Sequence, residues 1–129
     1  MIPFVKKRKE ETPSYLERID ELEKVSIVRL KGKITRDLVP MIEERIRENR
    51  RAGSAIDKNV IVDFSRVVDV DSSTVAFHVI HLNEYRAKGF EVALIHPNAE
   101  MKGLLEVFKD NAPFKVFATE AEAVKALNR

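Results

Sequence analysis

The sequence predicts an α/β domain: a mainly parallel sheet with one antiparallel edge hairpin and about four helices. Three observations predict it. Short β-branched runs alternate with segments of helical period along the chain. Two of those runs, Val60-Ile61-Val62-Asp63-Phe64 and Val92-Ala93-Leu94-Ile95, are nearly unbroken and apolar, which suits strands covered on both faces. The helical segments carry their own start and stop signals.

Taken in order, Met1 to Pro13 reads as a flexible tail: Lys6-Lys7-Arg8-Lys9 precedes Glu10-Glu11 and no period emerges. It suits a solvated arm, or a segment beside a membrane where basic residues meet anionic lipid. Tyr15 to Ile19 is a strand candidate, although Tyr15 to Leu22 also fits a short helix. Val25 to Leu30 is a β-branched strand ending at Gly32, with Glu23-Lys24 as the hairpin turn. Leu38 to Ala52 has helical period, with Leu38, Met41, Ile42 and Ile46 on one side. Thr35 or Asp37 can cap it, and Gly53 follows it. After the strand at Val60, Ser65 to Asp71 reads as a loop with an apolar middle. Ser73 to Lys88 is the second helix, its apolar stripe including Val75, Ala76, Val79 and Leu82, closed by Gly89. The strand at Val92 stops at His96-Pro97. Asn98 caps a helix through Phe108, Phe114 to Phe117 is a short strand, and Thr119-x-x-Glu122 is a capping box opening the last helix. The order β-β-α-β-α-β-α-β-α makes residues 14–129 one domain with right-handed crossovers.

Composition removes several function classes. The 129 residues hold 23 Lys and Arg against 21 Asp and Glu, a net charge of +2. Nucleic-acid binding usually needs a more dominant basic field. The absence of Cys excludes a disulfide framework, a thiolate zinc site and a Cys nucleophile. No apolar run approaches the roughly 20 residues of a membrane span, and the basic N-terminus lacks the apolar region of a signal peptide. The expected location is the cytoplasm, for a whole protein or for a piece of a larger one. The four glycines, Gly32, Gly53, Gly89 and Gly103, cannot spell either a dinucleotide fingerprint or a Walker A loop.

Ligands and partners of open α/β sheets gather at the carboxyl ends of the strands. The densest polar constellation falls there: Asp63-Phe64-Ser65 ends a central strand, then Asp69-Val70-Asp71-Ser72-Ser73-Thr74 enters a helix. Asp and Ser are also the preferred caps at such a joint. If Ser72 or Ser73 is the cap, the first turn Thr74-Val75-Ala76 offers no acid, and its free N–H groups suit an anion such as a phosphate on a nearby hydroxyl. Thr35, Arg36 and Asp37 follow the second strand and are expected at the same edge. Asp37 is equally suited to capping the first helix.

The run Val60 to Phe64, Ser65-x-Val67, then Val70-Asp71-Ser72-Ser73 resembles the signature of STAS domains. These are shared by anti-sigma-factor antagonists and sulfate-permease-type anion transporters. The resemblance extends from about Val25 to Leu127. It implies a non-catalytic regulator whose partner is a protein, an anti-sigma factor with serine-kinase activity, and whose phosphoacceptor is Ser72 beside Asp71. Asp69, Asp71, Ser73, Thr74, Thr35 and Asp37 are the candidate partner-binding residues. The resemblance implies no cofactor or metal, and nucleotide binding has no legible mark. Where antagonists usually carry Gly-Leu-Gly, this chain reads Thr74-Val75-Ala76. The long loop Arg51 to Asn59 and the basic tail fit the alternative, the cytosolic regulatory domain of a transporter.

Two further readings are weaker. Asp69-x-Asp71 echoes the nucleophile loop of Mg²⁺-dependent phosphatases, but the later acids Glu84, Glu91, Glu100, Glu106 and Asp110 include no adjacent pair. His78 and His81 have chelating spacing without an evident third ligand. Both lie beside the apolar stripe, where structural histidines are the simpler reading.

Overall fold

In the computed structural model of the protein the described residues are 15–36, 38, 40, 41, 44, 47, 48, 58–71, 73–75, 83, 86, 87, 89–107 and 114–128. The predicted tail, Asp37, Ser72, His78 and His81 lie outside them. Five strands form one sheet in the order β1-β2-β3-β4-β5: β1 Leu16–Glu21, β2 Val25–Lys33, β3 Asn59–Asp69, β4 Val92–Ile95 and β5 Phe114–Phe117. β1 pairs antiparallel with β2, and every later neighbour is parallel. The described residues between 38 and 48, and between 73 and 87, are helical. Two further helices are complete, α1 Ala99–Val107 and α2 Glu120–Leu127.

The period-2 alternation of the strands sorts side chains onto two faces. On one face Val28, Leu30, Val62 and Leu94 pack with Leu38, Val75 and Leu105. On the other, Val25, Ile27, Ile61 and Ile95 pack with Ala123 and Leu127 of α2. The sheet is thus covered on both sides, as the unbroken apolar runs required. The hairpin turns where Leu22 N–H donates to Val25 O at 2.9 Å, and residues 16–21 are strand, so the helical alternative for Tyr15 to Leu22 is removed.

The central strand is longer than its apolar run. Ser65 to Asp71 was expected to be a loop, but β3 continues to Asp69, pairing Lys31 with Arg66, Gly32 with Val67 and Lys33 with Asp69. Its exposed Ser65, Arg66 and Asp69 mimic loop composition, while Val67 and Val70 are buried. β2 likewise passes through Gly32, whose φ of 66° lies where a Cβ is disfavoured and where the register shifts.

Helix caps follow the expected chemistry. Asn98 Oδ1 accepts from Met101 N–H at 2.8 Å, and Asn98 Nδ2 donates to Val67 O at 3.4 Å, tying α1 to the extended part of β3. Thr119 Oγ1 accepts from Glu122 N–H at 3.1 Å. Replacing Asn98 with Ala is expected to cost about 1 kcal/mol of stability. Urea unfolding should show this as a lower midpoint at unchanged slope.

Candidate functional site

Where β3 hands over to the helix at residue 73, the carboxyl edge of the sheet is organised by Asp71. Its backbone carbonyl accepts from Val75 N–H at 3.1 Å, the first helical bond, which makes Asp71 the capping residue. Asp71 Oδ1 accepts from Thr74 N–H at 2.7 Å and from the Ser73 hydroxyl at 2.9 Å. These bonds, the amide of Thr74 first, with help from the positive charge of Lys33, hold the Asp71 carboxyl at a pKa of about 2. The expectation that this helix opens without an acid is therefore corrected. The acid lies one residue before Ser72 and two before Ser73, the two candidate caps, and its side chain reaches forward to the amide of Thr74.

The loop after β2 joins the same edge. Ile34 N–H donates to Asp69 O at 3.1 Å, and Arg36 Nη2 donates to Ser73 Oγ at 3.2 Å. Thr35, Asp69, Asp71 and Ser73 are exposed, so four of the candidate partner-binding residues lie at the surface. Thr74 does not. Its side chain is packed at 6% exposure, because it follows the cap on the core side of the first turn. Ser72 and Asp37 stand outside the described residues. The edge also exposes Val68, at 75%, whose alternation with buried Val67 on β3 could have signalled it. In Asp71→Asn the Thr74 amide proton is expected to exchange faster and to lose the shift that the native carboxylate imposes down to about pH 2. Amide-exchange NMR at neutral and acid pH would measure both effects.

A second polar feature lies beneath α2. Arg29 and Asp63 are register partners on β2 and β3, and Arg29 Nη1 donates to Asp63 Oδ2 at 2.9 Å. Arg29 Nε donates to Asp20 Oδ2 of β1 at 2.8 Å. Nη1 and Nη2 reach Glu120 at the start of α2, at 2.7 and 3.2 Å. Asp63 Oδ1 also accepts from Ser65 N–H at 2.9 Å. Glu120 foremost, then Asp20 and Asp63, hold the Arg29 guanidinium firmly protonated against its partial burial. Burial alone would raise the Asp63 carboxyl, but the Ser65 amide and Arg29 outweigh it, and the net direction is down. Hydrogen bonds from Arg29 also lower Asp20 and Glu120. Sequence reasoning missed this network. Its signal was an Arg inside the apolar run Val25 to Leu30, which a buried strand tolerates only with charged partners. Among the described residues no three His, Asp or Glu side chains gather as metal ligands.

The family model of the STAS domain matches residues 18–123, which include both β strands of the junction and the Asp71-Ser72-Ser73 run. The chain belongs to the STAS domain family. As a STAS domain it is a regulatory, protein-binding module and not an enzyme. Among curated proteins no relative matches it. The Bacillus cell-fate determinant SpoIIAA, an anti-sigma factor antagonist, matches in its unphosphorylated form at 25% identity and TM-score 0.57, over 84% of this chain and 94% of that one. Its phosphorylated form matches at 23% and 0.58, over 84% and 96%. The Thermotoga maritima protein TM1081, provisionally assigned as an anti-sigma factor antagonist, matches at 18% and 0.64, over 87% and 94%. The murine anion transporter Slc26a9 matches at 19% and 0.59, over 89% of this chain but 19% of the transporter. No helix among the described residues is long and apolar enough to cross a membrane.

Proposed function

We propose that this STAS domain is an anti-sigma-factor-antagonist-like regulator whose binding to its protein partner is switched by phosphorylation of Ser72. The observation that carries the reading is the capped junction itself. Asp71 and Ser73, on either side of Ser72, are both exposed and mutually hydrogen bonded at the edge of the sheet. SpoIIAA, matched over 94% or more of its own chain, has solved phosphorylated and unphosphorylated forms of the same fold. The partner on this reading is an anti-sigma factor with serine-kinase activity, met in the cytosol. Its footprint covers Asp69, Asp71, Ser73, Thr35 and Val68. A phosphate on Ser72 would add about −1.5 to −2 charges beside an already ionised Asp71, repelling an acidic partner surface without refolding the domain.

Incubating the chain with ATP and an extract of its host, then mapping phosphate by mass spectrometry, tests the switch. Phosphate on Ser72, absent from Ser72→Ala, is expected. Phosphate only at another residue would sink it. A second reading, the regulatory domain of a sulfate-permease-type transporter, draws on the likeness to a 19% portion of the anion transporter Slc26a9. It predicts a native reading frame in which about ten apolar helices precede this segment.

A further inference from the structure

The adjacent strands β4 and β5 send their following helices to opposite faces of the sheet. α1 buries Met101 and Leu105 in the cluster with Leu94, whereas α2 buries Ala123 and Leu127 against Ala93 and Ile95. Chains that diverge in this way open a crevice above the carboxyl ends of the strands, where open α/β sheets take their ligands. A crevice of about 890 Å³ lies there, within the size range of small-molecule sites.

Its lining has a definite chemistry. Pro97, Val116 and Phe117 form apolar walls, and Val116 remains 51% exposed on the edge strand. Ser65 and Asn98 supply polar groups. Among the described lining residues Lys102 is the one Lys or Arg; it is exposed and makes no ion pair with a described residue. His96, at the rim, holds a φ of 57°. That is the left-handed region, uncommon for a residue with a Cβ and opposed further by the following proline. Strained backbone of this kind gathers at ligand sites.

We infer that this crevice binds a small organic monoanion: a carboxylate bearing an aromatic or branched apolar group. The carboxylate pairs with Lys102, and the apolar part lies over Val116 and Phe117. Charge selects the class. Asp63 lines the same crevice and shares Arg29 with Asp20 and Glu120, so the one cation among the described lining residues has behind it a network of three acids against one guanidinium. That arrangement suits one negative charge and disfavours a polyphosphate. None of the described residues that line the crevice belongs to the proposed footprint of the Ser72 switch, so the two readings stand or fall separately.

Titrating the isotope-labelled full chain with phenylacetate and with indole-3-acetate, followed by heteronuclear NMR, tests it. Saturable shifts are expected at the amides of His96, Asn98, Lys102 and Phe117. They should weaken at least about tenfold in Lys102→Ala and with neutral phenylacetamide. Lys102 is exposed, so the variant should fold, which circular dichroism checks. Three results would each overturn the inference: no saturation by about 10 mM of either carboxylate, equal binding by the amide or by Lys102→Ala, or tighter occupation of the crevice by GTP.

Discussion

Arg29→Ala is expected to lower the stability of the domain by about 3 kcal/mol, the low end for breaking a buried ion pair because the network is partly open to solvent. The guanidinium joins β1, β2, β3 and α2 through Asp20, Asp63 and Glu120, and its own side chain is only 17% exposed. Without it three carboxylates face one another, and Asp63 is left charged at 7% exposure. Arg29→Lys should rescue poorly, since a single ammonium cannot fork onto Glu120 while holding Asp20 and Asp63. Adding Asp63→Asn to Arg29→Ala should recover part of the loss by removing the most buried uncompensated charge. Urea unfolding of the four proteins checks the series. A loss below about 1 kcal/mol would show that the cluster is only a screened surface network.

The same network, together with the cap at Asp71, sets the acid limit. Asp20, Asp63, Asp71 and Glu120 all have folded pKa values below their ordinary ones. The unfolded chain therefore binds more protons in acid, and stability rises with pH in that window. The contribution is fully present above about pH 5 and is lost as pH falls through the carboxylate range. For Asp71 the loss reaches down to about 2. In Arg29→Ala the slope between about pH 5 and 3 should flatten, because three of the four acids lose the cation that lowers them. Midpoints of urea unfolding measured across that range would show it.

Phosphorylation of Ser72 is expected to weaken partner binding on the order of 100-fold, since a like-charge contact across an interface costs several kcal/mol. Ser72→Asp should weaken it less, because one charge replaces nearly two. Ser72→Ala should bind constitutively and retain the partner during copurification. The capping geometry adds a condition. Asp71 already accepts from the Thr74 amide, so the helix does not need the phosphate, and the folded state should change little. Calorimetric titration of the copurified partner with the three forms, beside their unfolding midpoints, separates repulsion from unfolding. Equal affinity of the phosphorylated and unmodified chains would end the switch reading.

Periodicity and punctuation were enough to place the strands and α1 and α2, because apolar spacing and capping residues act locally. They marked β4 at Val92–Ile95 and the cap at Thr119 without any knowledge of neighbours. They stopped β3 too early, because residues that pair with the end of β2 on one edge and meet water on the other carry the composition of a loop. At the junction, Asp71, Ser73, Asp69 and Thr35 were legible from motif and order. The burial of Thr74 and the reach of Asp71 to its amide were not, since both depend on how the first turn sits on the core.

The linear order of residues alone determined a two-faced α/β sheet and an acidic, hydroxyl-rich turn at the carboxyl end of its central strand, because burial and backbone propensity repeat with fixed periods. Only the folded chain decided which acids meet Arg29, which carboxylate caps the helix, and that the helices following β4 and β5 leave for opposite faces beside a crevice. Those contacts join residues as far apart as Arg29 and Glu120, and no periodic signal links positions that only packing brings together.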